Sequence, residues 1–290
     1  MNPFRGEHGV RAGWRLLAFL LVMNLPLAGV QWFVIRVLKI EHIDFRPGPL
    51  ILAEAISLAF ALMATLVMAR WEGRTLAQYG LPLREAFGPQ FREGALWGLA
   101  ANLLVIGLIA ACGGYSVSGL AVHGARLVTA TLLWLAAFLG VALYEEIYFR
   151  GYPLYTLATG MGFWPAAGLL SLLFGALHYF GKPGETWVDG LTVTLIALFF
   201  CLTIRRTGRV WWAVGWHFTW NWSSMGVFGS PNTGNEGLPL PDHLLAGTFH
   251  GPQYLTGGGM GAEASLWMLP MLALLFWLFH RRSGGFRSDG

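Results

Sequence analysis

Glu145 and Glu146, with Arg150 four residues after the second, interrupt the apolar run Leu139-Gly-Val-Ala-Leu-Tyr-Glu-Glu-Ile-Tyr-Phe-Arg-Gly151. On a helix, Glu146 and Arg150 are i,i+4 neighbours and can pair. Glu145 lies about 100° further round and has no such local partner. One carboxylate is then tied to an ion pair and the other is left for chemistry. His178 closes the stretch Phe174-Gly-Ala-Leu-His178, and His217 and Asn221 share one helix face in Trp-His217-Phe-Thr-Trp-Asn221-Trp. A carboxylate with an imidazole suits water activation, and a His–Asn pair suits hydrogen-bond donation to a developing oxyanion. No Ser or Cys motif supplies a covalent nucleophile, so direct attack by water is the economical route.

The same types raise the question of a metal. Glu145, His178 and His217 are competent zinc ligands, and three protein ligands with one open position is the catalytic zinc pattern. Against that stand the lack of a His-Glu-x-x-His helix and the poor ligand quality of Asn221. Metal-independent chemistry is the preferred expectation, with a divalent ion such as zinc as the alternative.

The elements that must position these groups are membrane helices. Of 290 residues, 55% are hydrophobic and only 12% charged, against about 25% charged in ordinary soluble chains. Mean hydropathy is +0.54. The 19 Lys and Arg against 15 Asp and Glu are scattered, which argues against a nucleic-acid partner. Cys112 and Cys201 both sit in apolar runs and build no disulfide framework. The expectation is an all-α polytopic membrane protein. It would have about eight spans near 14–38, 49–69, 93–112, 127–158, 163–180, 187–204, 210–228 and 264–280, the catalytic core lying in helices four to seven. The first apolar stretch is too long for a signal peptide and lacks a small-residue cleavage site.

Eight spans place both termini on one side. With that side inside, inner segments hold 14 of the 19 basic residues, from Arg5, Arg11 and Arg15 to Arg281, Arg282 and Arg287. Outer ones hold Arg36, Lys39, Arg46, Arg126 and Lys182. The positive-inside rule then puts both termini in the cytoplasm, in the cell (inner) membrane. Residues 1–290 form a single integral-membrane domain without internal repeat. Residues 70–92 suit an amphipathic segment on the inner surface. The Gly- and Pro-rich stretch 229–263 is an outer loop expected to fold back over the bundle, and 264–280 is the last transmembrane helix.

The hairpin between helices four and five breaks at Gly160-Met161-Gly162, midway between Glu145 and His178, which brings those two to the same depth. Glu54, five residues into helix two, has a structural or accessory role. Trp211, Trp212, Trp216, Trp220 and Trp222 suggest an interfacial aromatic belt. His8, His42, His123, His243, His250 and His280 fall in tails, loops or helix ends and carry no functional expectation.

Glu-Glu-x-x-x-Arg, Phe-x-x-x-His and His-x-x-x-Asn, in that order on separate helices, form a specific combination. Over the core region 126–228 the chain resembles the CAAX-prenyl-protease and bacteriocin-processing (CPBP, or Abi) family of intramembrane proteases. The segment Leu255-Thr-Gly-Gly-Gly-Met-Gly-Ala-Glu-Ala-Ser265 also looks like one seen in bacterial members. No motif position departs from the pattern. The resemblance implies an intramembrane endopeptidase acting on membrane-associated peptides or proteins, with the lipid bilayer as its other partner. It implies that Glu145 activates the hydrolytic water together with His178. His217 and Asn221 would stabilise the oxyanion, and Glu146 and Arg150, supported by Phe174, would hold the arrangement.

Two other functions use similar residues. A proton-coupled transporter would also place Glu, His and Arg in mid-membrane, but such folds commonly show repeats, and helices one to four share no motif with five to eight. A catalytically silent scaffold or immunity protein is the other alternative, and the intact motif positions argue against it.

Overall fold

The computed structural model describes residues 4–6, 9–40, 45–181 and 184–282. His8, His42, Lys182 and Arg287 lie outside the described residues.

A short antiparallel pair, β1 (Arg5–Gly6) and β2 (Gly9–Val10), precedes α1 (Ala12–Arg36) and α2 (Pro47–Trp71). Pro47 begins α2 where a missing N–H costs nothing. Then come α3 (Pro89–Ala111), β3 (Tyr115–Leu120), α4 (Gly124–Arg150), α5 (Tyr152–Met161), α6 (Phe163–Gly181) and α7 (Trp187–Thr207). The chain continues through α8 (Trp211–Asn221), β4 (Leu245–Phe249), α9 (Gln253–Thr256) and α10 (Met268–Arg282). This is an all-α polytopic membrane fold with few strands.

Among the described residues, six stretches are long and apolar enough to cross a membrane, namely 12–36, 47–71, 89–111, 124–161, 163–181 and 187–207. The last two expected spans are shorter. The one expected over 210–228 consists of the 11-residue α8 and a π-helical turn over Trp222–Val227. The one expected over 264–280 is the 15-residue α10. At 1.5 Å per residue, α10 is only about 22 Å long. The bundle thus combines six long apolar stretches with two shorter apolar helical segments at the positions of the last two expected spans.

The single helix expected over 127–158 divides at Gly151, which leaves helical geometry at ψ −123. Pro153 follows in the first turn of α5, where it lacks the N–H that would have continued the α4 ladder. Of the segment 70–92, the ends belong to α2 and α3, and the part between holds two 3₁₀ turns, Leu76–Tyr79 and Leu83–Glu85, the first capped reciprocally by Thr75 and Gln78. Tyr79 and Leu81 are buried there, so its apolar side faces the bundle.

α8 packs most extensively on α3, and the reason lies in glycine. A Cβ on Gly94 or Gly98 would overlap the carbonyl oxygens of Trp212 or Trp216, and one on Gly215 would overlap that of Phe91. Small residues at such crossings let helix backbones touch. Thr219 Oγ1 adds a hydrogen bond to the Ala95 carbonyl at 2.7 Å. The tryptophans of α8 are correspondingly inside. Trp211, Trp212, Trp216 and Trp220 are buried, and Trp216 and Trp220 stack with centroids 5.1 Å apart. The expected interfacial belt is a packing core, because α8 is enclosed by protein.

Residues 229–263 lie back against the bundle. β4 pairs antiparallel with β3, and Leu240, Ala262 and Ala264 are buried. The Trp134 indole donates to the Pro241 carbonyl at 2.9 Å, tying the loop to α4.

Candidate active site

The Glu146–Arg150 pair forms within the last turns of α4, with Arg150 Nη1 2.9 Å from Glu146 Oε1. Both side chains are fully buried. Desolvating two charges is costly unless further groups compensate, and both ions have such company. The Arg150 guanidinium lies 4.4 Å from the Phe174 ring centroid, with Phe200 at 5.6 Å and Phe149 at 5.8 Å. Cation–π attraction is strongest in such water-free surroundings. Glu146 Oε1 also accepts from His217 Nδ1 at 2.9 Å.

His217 therefore bridges the two carboxylates. Its Nε2 lies 3.8 Å from Glu145 Oε2. A carboxylate only accepts, so Nδ1 carries a proton and the Glu146 contact orients the ring. His178 is oriented by the same logic. Its Nδ1 donates to the Phe174 carbonyl at 2.9 Å, and the two rings sit 4.5 Å apart. Phe174 thus serves two site groups, its ring facing Arg150 and its backbone holding His178.

Glu145, Phe174, His178, His217 and Asn221 line one cavity of about 190 Å³. They arrive from α4, α6 and α8, and Asn221 is the last residue before the π-helical turn. Such turns recur at functional sites. Trp216 and Trp220, on the same face of α8, form part of the wall, with Phe200 of α7 and Phe138 and Val141 of α4. An apolar lining with a few convergent polar groups is the usual composition of a small-molecule or peptide site. Glu146 and Arg150 stand behind this wall.

Two further carboxylates line the cavity. Glu54 of α2 projects into it beside Gly140 of α4, where a Cβ would stand only 3.0 Å from that of Glu54. Its Oε2 is buried and has no hydrogen-bond partner among the described residues. The helical position of Glu54 suggested only an accessory role. Glu263, from the end of the returning loop, accepts from Trp220 Nε1 at 2.7 Å. Its backbone carbonyl accepts from Thr192 at 2.8 Å. The segment Leu255–Ser265 that contains it stands out in the sequence, but nothing there singles out this acid.

Among the described residues, no group of three His, Cys, Asp or Glu side chains is placed to hold a metal ion. The trio Glu145, His178 and His217 borders one cavity, but that geometry does not make it a ligand set. The free cysteines are Cys112, exposed, and Cys201, buried.

Residues 127–223 match the family model described as Rce1-like, type II CAAX prenyl endopeptidase Rce1-like. The matched segment contains Glu145, Glu146, Arg150, Phe174, His178, His217 and Asn221, so the resemblance carried by those motifs is borne out. No curated protein and no solved structure matches the chain.

Proposed function

We propose, from the Rce1-like match over 127–223 and the cavity it encloses, that this integral membrane protein is a CAAX-type endopeptidase that hydrolyses a peptide bond with a glutamate-activated water. The observation that carries the reading is the convergence of Glu145, His178, His217 and Asn221 on one cavity, with Glu146 held apart from it.

In the reaction, the Glu145 carboxylate takes a proton from water, with the Nε2 of His178 orienting that water. The resulting hydroxide adds to the scissile carbonyl carbon, and the carbonyl π electrons move to oxygen. His217 in its doubly protonated form donates Nδ1–H to Glu146 and presents Nε2–H to the oxyanion, and the Asn221 amide donates beside it. Collapse of the oxyanion breaks the C–N bond, and the proton held by Glu145 passes to the departing amine. Donors fixed in advance in a water-poor cavity are the efficient form of such stabilisation. Arg150 pairs with Glu146, so the anchor of His217 stays in place.

The substrate is a membrane-associated peptide or protein of the CAAX type, reached from the bilayer, and both termini face the cytoplasm. The test is cleavage by purified protein in lipid nanodiscs of two peptides that share a CAAX sequence, one prenylated and one not, with products identified by mass. Removal of the last three residues from the prenylated peptide supports the reading. No cleavage of either peptide by folded protein contradicts it.

A further inference from the structure

A second cavity, sharing no lining residue with the site, lies where α1 begins. It is lined by Arg11 and Arg15 of the α1 start, Arg74 after α2, and Thr159 and Gly160 at the end of α5. Its volume is about 640 Å³, and a smaller recess adjoins it, bordered by Arg15, Trp71, Glu72 and Arg74. Three guanidinium groups on one concavity repel each other unless anions offset them.

The one carboxylate on these walls among the described residues is already committed. Glu72 Oε2 accepts from Arg15 Nη1 at 2.8 Å and from Tyr79 at 2.9 Å, and its Oε1 accepts from Tyr152. Arg15 also donates to Thr159 at 2.5 Å, yet its Nε is withheld from water with no partner among the described residues. Arg74 leans over the Tyr79 ring at 5.9 Å. Neither Arg11 nor Arg74 has a carboxylate partner among the described residues. No acidic residue lies in the first turn of α1 either. The cavity is thus a donor-rich, cationic hollow, and the one acid beside it among the described residues is already hydrogen-bonded.

Its place in the fold limits what can fill it. α1 and α2 are both spanning helices, and this is the end where one begins and the other stops. Trp14 and Trp71 are exposed here, 41% and 56%, as aromatic side chains are at the headgroup level. Basic pockets between helices on the cytoplasmic side are a recurring way to hold phosphate headgroups.

We propose that this cavity binds a phosphate anion, carried by an anionic phospholipid headgroup or free in solution, between Arg11, Arg15 and Arg74. Arg15 is fixed by Glu72 and shapes the floor, and Arg11 and Arg74 supply charge that no carboxylate among the described residues offsets. The bound anion links the start of α1 to the ends of α2 and α5 and stabilises their packing.

The experiment compares the wild-type protein with an Arg11→Gln/Arg74→Gln double variant, which leaves the Arg15–Glu72 pair and the catalytic cavity intact. Thermal unfolding is followed in nanodiscs of phosphatidylcholine alone, in nanodiscs containing phosphatidylglycerol, and in neutral detergent with inorganic phosphate. Native mass spectrometry counts retained lipid in parallel. A rise in the wild-type midpoint with phosphatidylglycerol, absent with inorganic phosphate, identifies the lipid as source. A rise with inorganic phosphate and no lipid retention identifies the free anion. In either case the double variant should bind roughly tenfold or more weakly, with peptide cleavage unchanged. No rise in either medium, or an equal rise in the variant, overturns the proposal. Cleavage activity is read separately, so failure of the anion site leaves the protease reading untouched.

Discussion

His217 lies between two adjacent glutamates of α4, its Nδ1 2.9 Å from Glu146 and its Nε2 3.8 Å from Glu145. Consecutive helical residues point about 100° apart, yet one ring approaches both. The helix that carries it, α8, is held against α3 by close glycine contacts. Glu146 is thereby the carboxylate that holds, shared by Arg150 and His217, and Glu145 is the one open to the cavity.

If His217 and Asn221 are the oxyanion donors, Asn221→Ala should lower turnover by roughly 10²–10³-fold with little change in substrate binding. Steady-state kinetics on a prenylated peptide gives both quantities. A loss confined to KM would make Asn221 a binding residue instead.

The α3–α8 contact should be sensitive to one methyl group. Gly215→Ala places a Cβ against the Phe91 carbonyl, and overpacking of this kind costs about 1–3 kcal/mol. Unfolding of the detergent-solubilised protein should shift down, and activity should fall because α8 carries His217 and Asn221. An unchanged midpoint with full activity would show that the backbone contact is not tight.

Metal removal separates the two chemistries open to these residue types. Dialysis against a chelator should leave cleavage unchanged, and elemental analysis should find no stoichiometric metal in wild type. Loss of activity restored by zinc, with metal lost in both His178→Ala and His217→Ala, would replace the metal-independent mechanism.

The basic residues predict topology. Reporter fusions at residues 84 and 245 should report opposite compartments, the first cytoplasmic. The same compartment at both positions would refute the assigned orientation.

How much of this was legible before the structure depends on the range of each interaction. The Glu146–Arg150 pair and the shared face of His217 and Asn221 follow from the α-helical repeat, and both are present. The common depth of Glu145 and His178 follows from a hairpin, and both line the cavity although the chain also breaks at Gly151. The His217–Glu146 hydrogen bond was not legible, because it depends on the angle at which α8 crosses α4. Gly94 and Gly98, which with Gly215 of α8 bring the α3 and α8 backbones together, have a four-residue spacing in α3 that pattern reading can recognise. Glu263 reaches the cavity through a loop fold with no periodicity to read. The α8 tryptophans misled for a related reason. Trp suits both a headgroup belt and a protein core, and composition alone does not separate them.

The paired carboxylates divide their labour, and a side-by-side comparison of two variants reads that division. Glu145→Gln and Glu146→Gln are purified in nanodiscs, and the cleavage rate of one prenylated peptide and the thermal midpoint are measured for each. Glu145→Gln should lose about two orders of magnitude or more in turnover with a wild-type midpoint, since only a cavity-facing group has changed. Glu146→Gln should lose stability as well, because a buried Arg150 left without its counter-charge is strongly destabilising, by about 3–5 kcal/mol for broken buried pairs. Near-normal turnover in Glu145→Gln, with the protein folded, would contradict the account.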